Sequence, residues 1–123
     1  MCIFCDKINK NNNALFETSK WIAFFDEYPV SKWHTLLIPK EHFDTYFDLP
    51  DSYIKTMDLA IKDVKNILDE KFHPDGYNIG FNCGETAGQS VMHFHIHVIP
   101  RYKGDVKNSR GWIRGVIPNK QNY

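Results

Sequence analysis

The segment His93-Phe94-His95-Ile96-His97-Val98-Ile99-Pro100 alternates imidazole with apolar side chains until it stops at a proline. This period of two predicts a β-strand over 91–99, with His93, His95 and His97 on one face and Phe94, Ile96 and Val98 on the other. Alternate side chains on a strand stand about 6.5–7 Å apart, given a rise of about 3.3 Å per residue. An apolar back face implies burial, and three imidazoles beside it are costly unless they bind, react or find partners. They can chelate one metal if the strand bends, or they can divide between roles; the spacing leaves both open.

Immediately upstream, Gly84-Glu85-Thr86-Ala87-Gly88-Gln89-Ser90 has no apolar run and reads as a loop. Its glycines let backbone N–H groups approach an anion, Gln89 adds an amide and Ser90 a hydroxyl, all donors that phosphate chemistry uses. Residues 77–82 read as another strand. Over 52–72, Ile54, Met57, Ile61, Val64 and Leu68 recur at three and four with charges between them, predicting an amphipathic helix of about six turns closed by Pro74 and Gly76. Apolar runs at 21–28 and 33–38 read as strands stopped by Pro29 and Pro39. Residues 41–49 predict one or two helical turns, and 112–117 a short strand. No strand–helix alternation exists, so the fold class is α+β, with a mainly antiparallel sheet of about five strands, one long helix and a short one.

A chain of 123 residues holds one domain, taken as 1–123. Hydrophobic residues make up 42% and charged residues 24%, a globular balance. Fifteen basic residues offset fifteen acidic ones, so any phosphate must be recognised locally, and duplex nucleic acid is not an expected partner. No apolar run nears the roughly 20 residues that span a bilayer, and the start lacks the basic region of a signal peptide. The expected location is cytoplasmic, with no membrane partner. Three cysteines in a reducing compartment serve metal binding, catalysis or packing more than disulfides, and Cys2 and Cys5 form a C-x-x-C pair.

With the alternating histidines, Cys2-Ile3-Phe4-Cys5, Ala23-Phe24-Phe25-Asp26, His34-Thr35-Leu36-Leu37-Ile38-Pro39-Lys40-Glu41-His42, Gly76-Tyr77-Asn78-Ile79 and Ala87-Gly88-Gln89-Ser90-Val91 follow one order and spacing. The chain in this respect resembles the histidine-triad (HIT) superfamily over about residues 2–105, leaving 106–123 as a C-terminal extension. The resemblance implies a HIT-like fold and a homodimer. It places the nucleophile at His95 and makes His97 and Gln89 donors to the phosphate or bridging oxygen, with His34 supporting the triad. It puts Asn82, Gly88 and Ser90 at the phosphates, Asp26 on the ribose, and Ile3, Phe4, Phe24 and Phe25 about the base. Zinc-containing members imply a structural Zn2+ on Cys2, Cys5, His42 and His93.

A neutral imidazole nitrogen is nucleophilic near pH 7, and a phosphoramidate intermediate divides one displacement into two. The expected activity is therefore hydrolysis or transfer of a purine nucleotide at its α-phosphate. Pro100-Arg101 resembles the dinucleoside polyphosphate hydrolase branch (substrates such as Ap3A or Ap4A), and the Hint-like nucleoside phosphoramidase branch is the alternative. A nucleotide-sensing module without turnover gives no reason for both His95 and His97. Lys32-Trp33 departs from the small pair usual before the first histidine of that motif. Arg110 and Arg114 either reach a polyphosphate tail or cover the sheet.

Overall fold

The computed structural model describes residues 2–10 and 13–123. Trp21, Ile22 and Ala23 are wholly buried and Phe24 nearly so, because β2 (Trp21–Phe25) lies inside a sheet covered on both faces. Such strands read as continuous apolar runs, and period two still divides them between faces. Trp21 and Ala23 join Leu37, Phe94, Ile96 and Val98 against the long helix, whereas Ile22 and Phe24 join Leu36 and Ile38 on the opposite face.

Five strands form one antiparallel sheet: β1 (Phe16–Glu17), β2, β3 (Thr35–Pro39), β4 (Gly76–Gly80) and β5 (Ile96–Arg101), in the order β1-β2-β3-β5-β4. Helix α1 (Ile3–Lys10) precedes them, and α2 (Asp51–Phe72) lies between β3 and β4. The apolar stripe of α2 buries Tyr53, Ala60, Val64 and Leu68. His73 ends that helix in a left-handed conformation at φ 52°, its N–H bonding the Asp69 carbonyl, and Pro74 forbids continuation. No helix among the described residues is long and apolar enough to cross a membrane.

The expected strand over 91–99 begins only at Ile96. The ladder with β3 ends at the pair Leu37–Ile96. Beyond it the chain bonds differently: the Phe94 N–H reaches the Phe43 carbonyl at 2.7 Å. His93 and His95 thus stand just ahead of β5, yet Phe94 still packs with Ile96 and Val98. Trp33 adopts φ 71°, which delays β3 to Thr35. The expected strand over 112–117 is instead a 3-10 helix, Trp112–Val116, followed by another at Pro118–Lys120. Gly111 explains this departure: at φ 77° it turns the tail back on itself, so closely that a Cβ there would meet the Gln121 carbonyl oxygen at 2.0 Å. Between 41 and 49 there is a single 3-10 turn, Tyr46–Asp48, closed by a Thr45/Asp48 capping box.

Candidate active site

His97 sits on β5 opposite Leu36, so its imidazole faces the layer of Ile22, Phe24 and Ile38, away from α2. Two neighbours define its protonation. The Val30 N–H donates to His34 Nδ1 at 3.1 Å, which leaves the proton of neutral His34 on Nε2. That Nε2–H points at His97 Nδ1, 2.9 Å away, and lies 3.4 Å from Asp26 Oδ2. His97 consequently accepts at Nδ1 and carries its own proton on Nε2. Burial, then the fields of His95 and His34, push the His97 imidazolium down to about 4 against the opposing pull of Asp26. Burial also lowers His34, again opposed by Asp26. Both rings are neutral near pH 7, as the hydrogen-bond chain requires.

This depression has a measurable consequence for folding. The unfolded chain takes up a proton on this imidazole near pH 6.5 and the folded one only near pH 4. The stabilisation is therefore fully present above about pH 6.5 and fades as pH falls to about 4, by up to about 1.4 kcal/mol per pH unit. Urea titrations stepped from pH 7 to 4 should show this slope, and His97→Asn should flatten it; an unchanged slope in the variant contradicts the assignment.

His95 is nearly buried, with Nδ1 2.8 Å from the His93 carbonyl oxygen. A carbonyl only accepts, so Nδ1 holds the proton and Nε2 presents a lone pair. The Phe4 ring on α1 stands edge-on to it at 5.0 Å, and the His97 ring lies 5.2 Å away. A ring whose neutral form carries a free nitrogen lone pair and a ring with an N–H donor thus lie 5.2 Å apart, a pair that can serve nucleophilic chemistry.

The preceding loop is held from within. Gln89 is buried; its Oε1 accepts from the Gly84 N–H at 2.8 Å, and its Nε2 donates to the Asp44 and Val91 carbonyls at 2.6 and 3.0 Å. The amide expected at the phosphate is committed here to the loop's own ends and to the Asp44 carbonyl. Gly88 has φ 93° and lies against Asn82, whose Nδ2 donates to the Ala87 carbonyl at 2.6 Å. Ser90 is exposed. Of the four residues expected about the base, Phe4 and Phe24 pack in the histidine-side layer. Phe25 points to the other face and packs on Trp33 and Phe72, as period two dictates for the neighbour of Phe24. Ile3 is largely exposed. Asp26 leaves β2 with Oδ1 accepting the Tyr28 N–H at 2.8 Å. Arg110 and Arg114 both place their guanidinium groups 4.8 Å from the centre of the Tyr123 ring, so they fasten the tail.

The third histidine belongs to a separate cluster. Cys2 Sγ lies 3.3 Å and Cys5 Sγ 3.4 Å from His93 Nδ1, and Cys5 Sγ lies 3.3 Å from His42 Nδ1. All four ligand atoms fall within 4.8 Å of one another. The opposite nitrogens are occupied: His93 Nε2–H donates to the Pro39 carbonyl and His42 Nε2–H to Asp44, each at 2.9 Å. Both rings thereby turn unprotonated Nδ1 atoms toward the thiols, the orientation that outer partners give to metal-binding histidines. The set could hold one metal ion.

Val30, Asp44 and the Pro39 carbonyl are the site partners that sequence reasoning missed. Asp44, two residues beyond His42, is the one with a legible signal; a backbone N–H such as that of Val30 has none.

The HIT domain model matches residues 7–104. A HIT-like protein of Methanocaldococcus jannaschii is 42% identical over 107 residues, 85% of this chain and 82% of that protein. An adenosine 5′-monophosphoramidase of Candida albicans is 35% identical over 117 residues, covering 90% of this chain and 77% of that enzyme. The crystal structure of a zinc-bound histidine triad protein from Mycobacterium smegmatis superposes with a TM-score of 0.78 at 32% identity, over 87% of this chain and 79% of that one. With the HIT domain model matching residues 7–104, a relative 42% identical over 85% of the chain, and His93, His95 and His97 alternating into β5, the chain belongs to the histidine-triad (HIT) family.

Proposed function

We propose that the protein hydrolyses dinucleoside polyphosphates such as Ap3A or Ap4A, with His95 as the nucleophile at an α-phosphate. The observation that carries this is the pair of rings 5.2 Å apart in which the bond from His95 Nδ1 to the His93 carbonyl directs the lone pair of the neutral ring to Nε2, and the bond accepted at His97 Nδ1 directs its proton to Nε2. In the first step a P–N bond forms at His95 Nε2 and the P–O bond to the leaving phosphate breaks. The leaving oxygen keeps the electron pair while His97 Nε2–H hydrogen-bonds it. Water then attacks phosphorus, the P–N pair returns to Nε2, and the water proton goes to solvent. His34 positions His97, and Gln89 positions the loop whose Gly88, Ser90 and Asn82 meet the phosphates. Phe4 offers the base apolar surface, with Phe24 buried in the same layer and Ile3 exposed on the same helix as Phe4, whereas Phe25, on the opposite face, is set aside.

A phosphate departs as an anion and needs only that hydrogen bond, whereas an amine must gain a proton that neutral His97 gives up poorly. The second reading, release of AMP from an amine, is favoured by the similarity to the Candida albicans enzyme. Comparing Ap3A, Ap4A and adenosine phosphoramidate at one concentration separates them. The polyphosphates should turn over fastest, and a faster phosphoramidate would assign the second activity.

Asp26 reads the ribose in this proposal, since a carboxylate can accept from both hydroxyls. Asp26→Asn should weaken purine nucleotide binding by about 1.5–3 kcal/mol. Calorimetric titration with AMP checks this, and equal affinity of the unmodified protein for 2′,3′-dideoxy-AMP would contradict it.

Cys2, Cys5, His42 and His93 fit Zn2+: a tetrahedral ion with two sulfur and two nitrogen ligands spaces sulfur from nitrogen by about 3.5 Å, close to the distances found here. Bound there, zinc would supply a crosslink between the start of α1 and the segments that follow β3 and precede β5, with no position left for substrate. The edge strand β4, with Ile79 exposed within it and Phe81 exposed just after it, supports a homodimer. Three unpaired thiols support a cytoplasmic location. The whole of 1–123 is read as one domain, with 106–123 an extension.

A further inference from the structure

We infer that the cavity beyond His97, at the carboxyl end of β5, is the subsite for the nucleoside di- or triphosphate displaced from the α-phosphate. This rests on the assignment of His95 as nucleophile, which fixes the direction of attack. Displacement at phosphorus places the attacking and leaving atoms roughly in line on opposite sides. On β5, His97, Ile99 and Arg101 follow one another along one face in steps of about 6.5–7 Å, and the His95 ring stands 5.2 Å from that of His97 just ahead of the strand. With His95 attacking and His97 bonding the leaving oxygen, the displaced group extends toward Ile99.

A cavity of about 880 Å³ opens there, with Val30, Lys32, Trp33, Lys71, Ile99 and Trp112 among its walls. That volume is suited to a small organic ligand, for which about 300–1,000 Å³ is usual. Two contacts tie it to the reacting histidines. Val30 is the residue whose N–H holds His34. Trp112 lies over Gly80, where an added Cβ would stand 3.6 Å from the indole, and Gly80 is the cross-strand partner of His97. The shape of this wall therefore depends on glycine at 80 and on the C-terminal segment.

The chemistry of the walls selects the ligand. Trp33 and Trp112 are each 40% exposed, giving aromatic surface for a base. Lys32 and Lys71 form no ion pair among the described residues. Arg101, in contrast, is held by Asp105 and Asn78. Two unneutralised ammonium groups beside aromatic surface suit a polyphosphate carrying a base, and offer nothing to an amine.

The test uses ¹⁵N-labelled full-length protein saturated with AMP, titrated with ATP, and followed by the indole N–H resonances of its tryptophans. Trp33 and Trp112 should move, while Trp21, buried and bonded to Thr56 Oγ1, should not. In the Lys32→Glu/Lys71→Glu variant, ATP affinity should fall at least tenfold with AMP affinity unchanged. Absence of movement, unchanged ATP affinity in the variant, or an equal loss for AMP overturns the subsite. The titration involves no turnover, so its result is independent of whether His95 forms a covalent intermediate.

Discussion

His95→Asn should abolish useful turnover, lowering kcat by roughly three to six orders of magnitude, the range expected when a covalent nucleophile is removed. Asparagine is the informative replacement because its Nδ2 can still donate to the His93 carbonyl that His95 Nδ1 engages at 2.8 Å. The core should be undisturbed, since Phe94, Ile96 and Val98 pack on the α2 side of the sheet. Nucleotide affinity, measured by titration with AMP, should change by less than about tenfold, the equivalent of about 1.4 kcal/mol. A variant that loses binding and turnover together would point to a binding role for His95.

The second large effect concerns stability and comes from α1. No residue of α1 is fully buried. Its hold on the sheet depends on Phe4 and Ile8 at the edge of the histidine-side layer and on the thiols facing His42 and His93. An isolated helix of eight residues is unstable in water, so the proposed zinc crosslink would decide whether it stays docked. With zinc at about a thousand times its Kd, binding to the folded state alone adds about 4.1 kcal/mol. At about 3–5 °C per kcal/mol for a chain of this length, chelation or Cys5→Ala should lower Tm by roughly 12–20 °C. Elemental analysis should find about one zinc per chain in the unmodified protein and little in Cys5→Ala. Metal-free protein that melts at the same temperature would contradict the assignment. Because Phe4 rides on α1 and touches the His95 ring edge-on, metal loss should also weaken nucleotide binding.

Much of this was legible in the sequence because its signals are periodic. The 3-4 spacing from Ile54 to Leu68 marked α2, and alternation marked the histidine face, since both periods arise from backbone geometry. The start of β5 was not legible: alternation persists through His93 and His95 although the hydrogen-bonded ladder stops at Ile96. Helix α1 was hidden for another reason. Eight residues without a buried stripe give no periodic signal, and what fastens them is a set of thiols and imidazoles 37 to 91 residues apart. The tail misled because Trp112, Ile113, Val116 and Ile117 have strand-like composition with no strand to pair, and they form 3-10 turns instead. At the site, family order located His34, His95 and His97, but it could not give the direction of their hydrogen bonds. That direction comes from Val30 and the His93 carbonyl, backbone groups that every sequence contains.

The most direct test of the covalent mechanism is rapid acid-free quenching of the unmodified protein with Ap4A labelled at its α-phosphates, followed by peptide mapping. An acid-labile AMP adduct is expected on the peptide containing His95, formed within one turnover and absent from His95→Asn. Label on any other residue, or near-normal turnover by His95→Asn, would contradict it.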